Sequence, residues 1–571
     1  MTRTTGPAVV TPVTSVRPPR PRHWPALVVA TALMLAWLLV LPRVLDHMFV
    51  DGVSYLDIAE HYLAGRWDVA VNAYWSPLWS WLAVPVLATG ADHFLTARVL
   101  GLFSALLTLL VVHRWLLRLG VDAGAAGIVL AGGLPFLLAA SVLASPDLLL
   151  VAILLTHLDL ATRADAWRPR TAALAGALAG SAYLTKLFAL PFLVVMVPLL
   201  VGLQVWRDPA RTRTWVRAGV VQFGVFLAVV AAWASVLSID LGRPSVGTAA
   251  EVNLETTAEG SHGTPMIHGG LTEPPHATSS SPWEDPARLN QHPGRTARTD
   301  RADATPPGTQ PVTRAPARPE PRAGMVGVVE ARLRAVGVNL QRAGDELRRW
   351  RFFVPVALLA QLPLWWRARP RDLGLVALPV ASAVYLGGLL AIHLDERYAW
   401  FALLALLPGA TAGAVTTGHR LWGRGLGREW DLGVMRRRPY RWVLVAVIAC
   451  TLLWPGLRYL TATIRSAPHA APLARELEPD LLDGREVASD SDWIATMQLC
   501  AHAGCRYHGI TGPGLHADWR RQLATHRIDV YLVWDPTNLP PGVGARVYTA
   551  TSAGGVQHQL HVVDTRTLPA G

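Results

Sequence analysis

Two carboxylates and two cations stand at the ends of apolar runs, where side chains can meet an anionic substrate. The first acid, Asp51, opens Asp51-Gly52-Val53-Ser54-Tyr55-Leu56-Asp57-Ile58-Ala59-Glu60-His61. At helical spacing Asp51, Tyr55, Ile58 and Tyr62 share one face, and Asp57, Glu60, His61 and Ala64 share another. The spacing predicts a short helix along the membrane surface with Asp51 at its N-terminal end. There the helix dipole favours an ionised carboxylate. The plain alternative is an N-cap. The second acid, Asp147, lies in Ser145-Pro146-Asp147 between two apolar runs. It reads either as a turn with Asp147 capping the next helix or as a second acid facing the same site.

The cations are Lys186 and Arg397. Lys186 is the sole lysine among 52 basic side chains, so the other 51 are arginines. An arginine would snorkel from an apolar hairpin equally well. The retained lysine therefore favours a compact point charge suited to a phosphate. Arg397 belongs to His393-Leu394-Asp395-Glu396-Arg397-Tyr398, where ionisable groups this dense at a span end are costly unless paired or used. His393, Glu396 and Tyr398 are supporting candidates there, as Tyr55 and Glu60 are in the first loop. Pairing within the hairpin and a ligand role for Arg397 both fit. Whether a divalent cation joins the acids is left open; no other cofactor is suggested.

The elements that would position these residues follow from composition. Hydrophobic residues make up 51% of the 571 positions and charged residues 16%, against about 25% charged in soluble domains. Apolar runs long enough to approach a bilayer's thickness lie near 25–42, 97–113, 123–143, 147–162, 171–186, 188–206, 216–238, 352–366, 373–392, 398–416 and 441–459. The run 76–90, interrupted by Pro77 and Pro85, reads as interfacial or re-entrant. Eleven spans place the arginine clusters (Arg17 to Arg22, Arg114 and Arg118, Arg163 to Arg170, Arg207 to Arg217, Arg367 to Arg371, Arg420 to Arg441) on the cytoplasmic side. The net charge of +12 then reflects orientation, which argues against a nucleic-acid partner. The fold class is a polytopic α-helical membrane protein of about 11 transmembrane helices.

The expected organisation is a cytoplasmic arm 1–24, a membrane core 25–238 with outer loop 43–96, an outer segment 239–350, membrane helices 351–459 and an outer domain 460–571. Within the outer segment, 241–322 has too few large apolar residues for a core and reads as disordered, and 324–350 as an amphipathic helix on the membrane. In the tail, strands at 487–489 and 529–534 and helices at 491–503 and 515–525 suggest a small extracytoplasmic α/β domain. Cys500 and Cys505 fit a disulfide or two separate thiols; Cys450 reads as span packing. Asn72-Ala73-Tyr74-Trp75-Ser76-Pro77-Leu78-Trp79-Ser80-Trp81 reads as an aromatic belt or a groove for lipid or sugar.

The set of motifs resembles the GT-C membrane glycosyltransferases that use polyprenyl-phosphate sugars, in particular the protein O-mannosyltransferase and aminoarabinose transferase branch. The resemblance rests on Asp51-Gly52, Ile58-Ala59-Glu60, Leu63-x-Gly65, Ser76-Pro77-Leu78, Arg98-Val99-Leu100-Gly101, Ser145-Pro146-Asp147, Leu184-Thr185-Lys186 and Glu396-Arg397-Tyr398, in that order. It implies that Asp51 is the catalytic base and that Lys186 and Arg397 stabilise the leaving phosphate. It implies a polyprenyl-phosphate sugar donor, a glycan, lipid or protein acceptor, and a bacterial inner membrane. The family often has two adjacent acids where this chain has Asp-Gly. Two readings compete: a lipid-linked glycan transporter, and a catalytically inactive scaffold.

Overall fold

The structure is a computed structural model describing residues 23–46, 48–258, 325–365, 372–425, 439–465, 470–478, 480–511, 519–539, 542–551 and 557–567. Each predicted apolar run forms a helix. In chain order these are α1 (Trp24–Val44), α4 (His93–Arg118), α5 (Ala123–Val142), α6 (Asp147–Ala161), α7 (Pro169–Thr185), α8 (Ala189–Arg207), α9 (Thr212–Leu241), α12 (Phe353–Trp365), α13 (Gly374–Leu390), α14 (Trp400–Gly425) and α15 (Pro439–Arg465). By length and composition, seven helical segments among the described residues are long and apolar enough to cross a membrane. Interspersed are α2 (Val50–Leu63), α3 (Leu78–Leu87), α10 (Ala249–Ala258) and α11 (Met325–Arg349).

The bundle is apolar on both its inside and its outside. Leu33, Leu154, Leu193 and Phe226 are fully buried, while Leu39 is 73% and Ile239 80% exposed on outward faces. Such outward residues suit hydrocarbon, which has no hydrophobic cost for them. Small residues let helices approach closely: a Cβ on Gly132 of α5 would fall 2.7 Å from the Ala449 carbonyl oxygen of α15.

At one end of the bundle arginines of two clusters have a structural role. Asp159, buried near the end of α6, accepts from Arg114 Nε at 2.6 Å, Arg118 Nη1 at 2.9 Å and Arg163 Nη2 at 2.5 Å. Arg118 also grips Asp372 through two bonds of 2.9 Å. Asp51, Asp147, Lys186 and Arg397 all occupy the opposite end.

The helix α2 packs into protein on both faces: Tyr55, Ile58, Tyr62, Asp57 and His61 are all buried, with Glu60 and Leu63 exposed. Two expectations change. Part of the low-complexity stretch is ordered, because α10 is tied down by polar contacts: Tyr74 Oη donates to Asn253 Oδ1 at 3.2 Å, and Thr248 N donates to Ala73 O at 2.8 Å. The rest of the expected disorder, 259–322, lies outside the described residues. Cys450 is exposed on α15 rather than packed inside.

The tail holds α16 (Ala470–Glu476), β1 (Glu486–Ser489), α17 (Trp493–Ala503), β2 (Arg506–Ile510), α18 (Trp519–Thr525), β3 (Val530–Val533), β4 (Arg546–Thr551) and β5 (Gln557–Asp564). Residues 515–518 of the predicted helix lie outside the described residues. The sheet order is β2-β1-β3-β5-β4, with β1 parallel to β2 and β3, and β5 antiparallel to β3 and β4. Cys500 and Cys505 form a disulfide between the end of α17 and the start of β2. The domain sits at the Asp51 end of the bundle. Gln498 Nε2 of α17 donates to Met48 O at 2.6 Å, and His502 stacks on Phe94 at 4.1 Å.

Candidate active site

Asp51 lies in the first turn of α2, whose N-cap is Phe49, so the N-cap reading of Asp51 fails. Its carboxylate is free to face a site. Gly52 explains how near that site comes. A Cβ there would fall 2.9 Å from Ala144 O and closer still to the Ala144 methyl. Only glycine lets α2 press against the turn that carries Asp147. The position after Asp51 therefore has no room for any side chain.

Asp147 is the first residue of α6, after an N-cap at Pro146; it is therefore not the N-cap either. It is buried, and Ser145 Oγ donates to its Oδ2 at 2.5 Å. Lys186 ends α7 in an extended conformation that breaks the helix. Its Nζ pairs with Asp147 Oδ1 and lies 4.0 Å from the centre of the Tyr398 ring. The negative face of an aromatic ring attracts a cation placed over it.

The hairpin between α13 and α14 supplies the last part. Arg397 is buried and holds three acids together. Its Nη1 donates to Asp51 Oδ2 at 3.0 Å and lies 3.4 Å from Asp147 Oδ2; Nη2 and Nε reach Asp395 Oδ2 at 3.0 and 3.3 Å. The Phe49 ring lies 4.4 Å from the guanidinium carbon. Burial alone would raise the Asp395 carboxyl, but the charge and hydrogen bond of Arg397, with the charge of Lys186, bring it down to about 2. Arg397 thus bridges Asp51, Asp147 and Asp395.

Supporting residues divide. Tyr55 is buried edge-on to Trp75 at 5.0 Å, and burial, then the charges of Asp51 and Asp147, raise its hydroxyl far above the usual phenol range. It is a neutral wall of the site. Tyr398 is the ring beneath Lys186. His393 is not a cation: burial pushes it down to about 4, and its Nδ1 meets Thr257 Oγ1 at 2.7 Å and Arg342 Nη1 at 3.1 Å. Glu396 turns away to pair with Arg349. Glu60 turns away too, toward His93 at 2.7 Å; that hydrogen bond, against the opposing effect of burial, lowers its carboxyl. Asp57, Glu60 and His93 are the one group among the described residues whose types and spacing could hold a metal, with donor atoms within 4.8 Å. No cofactor is established.

Asp395 was absent from the expected site, though it sits in the hairpin already singled out. Its neighbour two positions on, Arg397, was the available signal, since a buried guanidinium needs a carboxylate within reach.

No family model and no curated protein matches this chain. Solved structures do. The chain shares 15% identity with ArnT from Cupriavidus metallidurans bound to undecaprenyl phosphate, at a TM-score of 0.55, covering 96% of this chain and 99% of that one. The apo state of the same ArnT matches at a TM-score of 0.50 and 15% identity, covering 94% and 98%. The fold is therefore that of the GT-C membrane glycosyltransferases, with membrane helices and an appended sheet domain together. Within that class, ArnT is what this chain's architecture is similar to over nearly its whole length.

Proposed function

We propose that the protein transfers a sugar from a polyprenyl-phosphate donor to an acceptor hydroxyl on the extracytoplasmic face of the membrane. The observation that carries this reading is the convergence of Asp51, Asp147, Lys186 and Arg397 at one bundle end. Undecaprenyl phosphate, the lipid bound to ArnT, is the first donor carrier to try.

The chemistry needs only groups on hand. The acceptor hydroxyl attacks the anomeric carbon, its proton passes to Asp51, and the bond from that carbon to the phosphate oxygen breaks with inversion. The lipid phosphate leaves with the bonding pair. Lys186 and Arg397 are the cations available to hold its growing charge. Asp147, gripped by both, orients them toward one point. Near Asp51 the buried rings of Tyr55 and Trp75 pack edge-on at 5.0 Å and form an apolar wall.

The test is transfer of labelled sugar from a panel of undecaprenyl-phosphate sugars by purified protein. Turnover by wild type and its loss in Asp51→Asn is the expected result. An Asn variant as active as wild type would remove Asp51 as base. No turnover of any donor would favour a transporter or an inactive scaffold.

A further inference from the structure

The helix α11 packs against the bundle beside α13, and its inward face meets the hairpin before Arg397 nearly residue by residue. Asn339 is fully buried. Its Nδ2 donates to Leu390 O at 3.0 Å and Leu389 O at 3.4 Å, and its Oδ1 accepts from Leu394 N at 2.9 Å. One turn on, Arg342 Nη1 reaches His393 Nδ1 at 3.1 Å and Leu394 O at 3.4 Å. Two turns further, Arg349 pairs with Glu396. The positions 339, 342 and 349 follow helical spacing, so one face of α11 engages 389–396.

The contacts matter because of what they satisfy. The last carbonyls of a helix lack partners, and here they end in an apolar setting where an unpaired polar group costs about 1–3 kcal/mol. Asn339 serves the end of α13 and the backbone of the hairpin with one amide. That amide fixes the path of the chain three residues before Arg397. Arg397 in turn makes contacts near 3 Å to Asp51 and Asp395, and such contacts do not survive a shift of about 1 Å.

We infer that α11 is a positioning element for Arg397, with Asn339 as the positioning residue. Its consequence for donor binding rests on the function proposed above. The experiment uses the full chain in nanodiscs and has two readouts. Hydrogen exchange across residues 389–397 is expected to rise about tenfold in Asn339→Leu, with α4, α5 and α6 unchanged. Affinity for undecaprenyl phosphate is expected to fall about tenfold in the same variant. In an Arg397→Met background the Asn339→Leu change should add nothing further, since the two act through one group.

Unchanged exchange in the hairpin would overturn the inference. So would an affinity loss that persists in full in the Arg397→Met background, which a general structural defect would produce. Should Asn339→Leu fail to fold, Arg342→Gln carries the same two readouts. If wild type does not bind undecaprenyl phosphate, the donor reading fails, and hairpin exchange alone decides whether Asn339 positions Arg397.

Discussion

Replacing Arg397 tests the site most severely, because this side chain touches Asp51, Asp147 and Asp395 at once. It is only 7% exposed, so water screens little of what is lost. Arg397→Met leaves three carboxylates with Lys186 as the one remaining cation of the cluster. Removing one partner of a buried ion pair costs about 3–5 kcal/mol. Removing a donor aimed at developing charge costs about 10²–10³ in rate, or about 2.7–4 kcal/mol. Sugar transfer from the active donor should therefore fall at least about a hundredfold in Arg397→Met. Arg397→Lys keeps the charge, but an ammonium lacks the fork that reaches Asp51 and Asp395 together; it should recover about tenfold of the loss and no more. The assay is single-turnover transfer with saturating acceptor. Arg397→Met transferring within tenfold of wild type would refute the reasoning.

Other changes probe separate links. Gly52→Ala forces α2 away from Ala144, so thermal stability should fall by about 1–3 kcal/mol together with activity; a silent Gly52→Ala would mean the close approach is not needed. Gln498→Leu removes the bond from α17 to Met48 O, three residues before Asp51, and should lower transfer while leaving the tail's own sheet intact by circular dichroism. The pH dependence of stability should carry a mark from Glu346 on α11. Burial, then the charge of Glu396, raises its carboxyl from an ordinary 4.5 to about 7. The folded state therefore binds more protons between these values, and this contribution is full below about 4.5 and lost as pH rises through about 7. Glu346→Gln should raise the melting temperature at pH 8 and leave it little changed at pH 5; an equal shift at both would refute the assignment.

The apolar helices were legible because hydropathy over about 20 residues is a strong signal, although seven segments rather than eleven are long and apolar enough to cross a membrane among the described residues. Single site residues were legible as types at span ends. Their convergence was not, because Asp51 and Arg397 are 346 positions apart and only packing brings them together. The burial of α2 was hidden for a related reason: its two faces look amphipathic, yet α3 covers one and the tail's α17 packs against the helix too. Strand β5 escaped notice because its sequence, Gln557-His558-Gln559-Leu560-His561-Val562-Val563-Asp564, is polar in its first half. Strand β4 is at the sheet edge and mostly exposed. Helix α10 sits in sequence that lacks a core of its own and borrows Tyr74 and His393 from elsewhere.

The grip of Arg397 and Lys186 on the two acids also implies an interlock. On the function proposed above, a donor phosphate and the carboxylates compete for the same guanidinium and ammonium. Docking the donor is then an exchange of partners, in which Asp51 is let go as the phosphate is taken up. Before that exchange Asp51 is tethered, and an acceptor arriving first meets an occupied carboxylate. The expected kinetic scheme is ordered, donor before acceptor. Asp51, Asp147, Asp395, Lys186 and Arg397 each have a partner within the cluster, so none of these charges destabilises the bundle end for want of one.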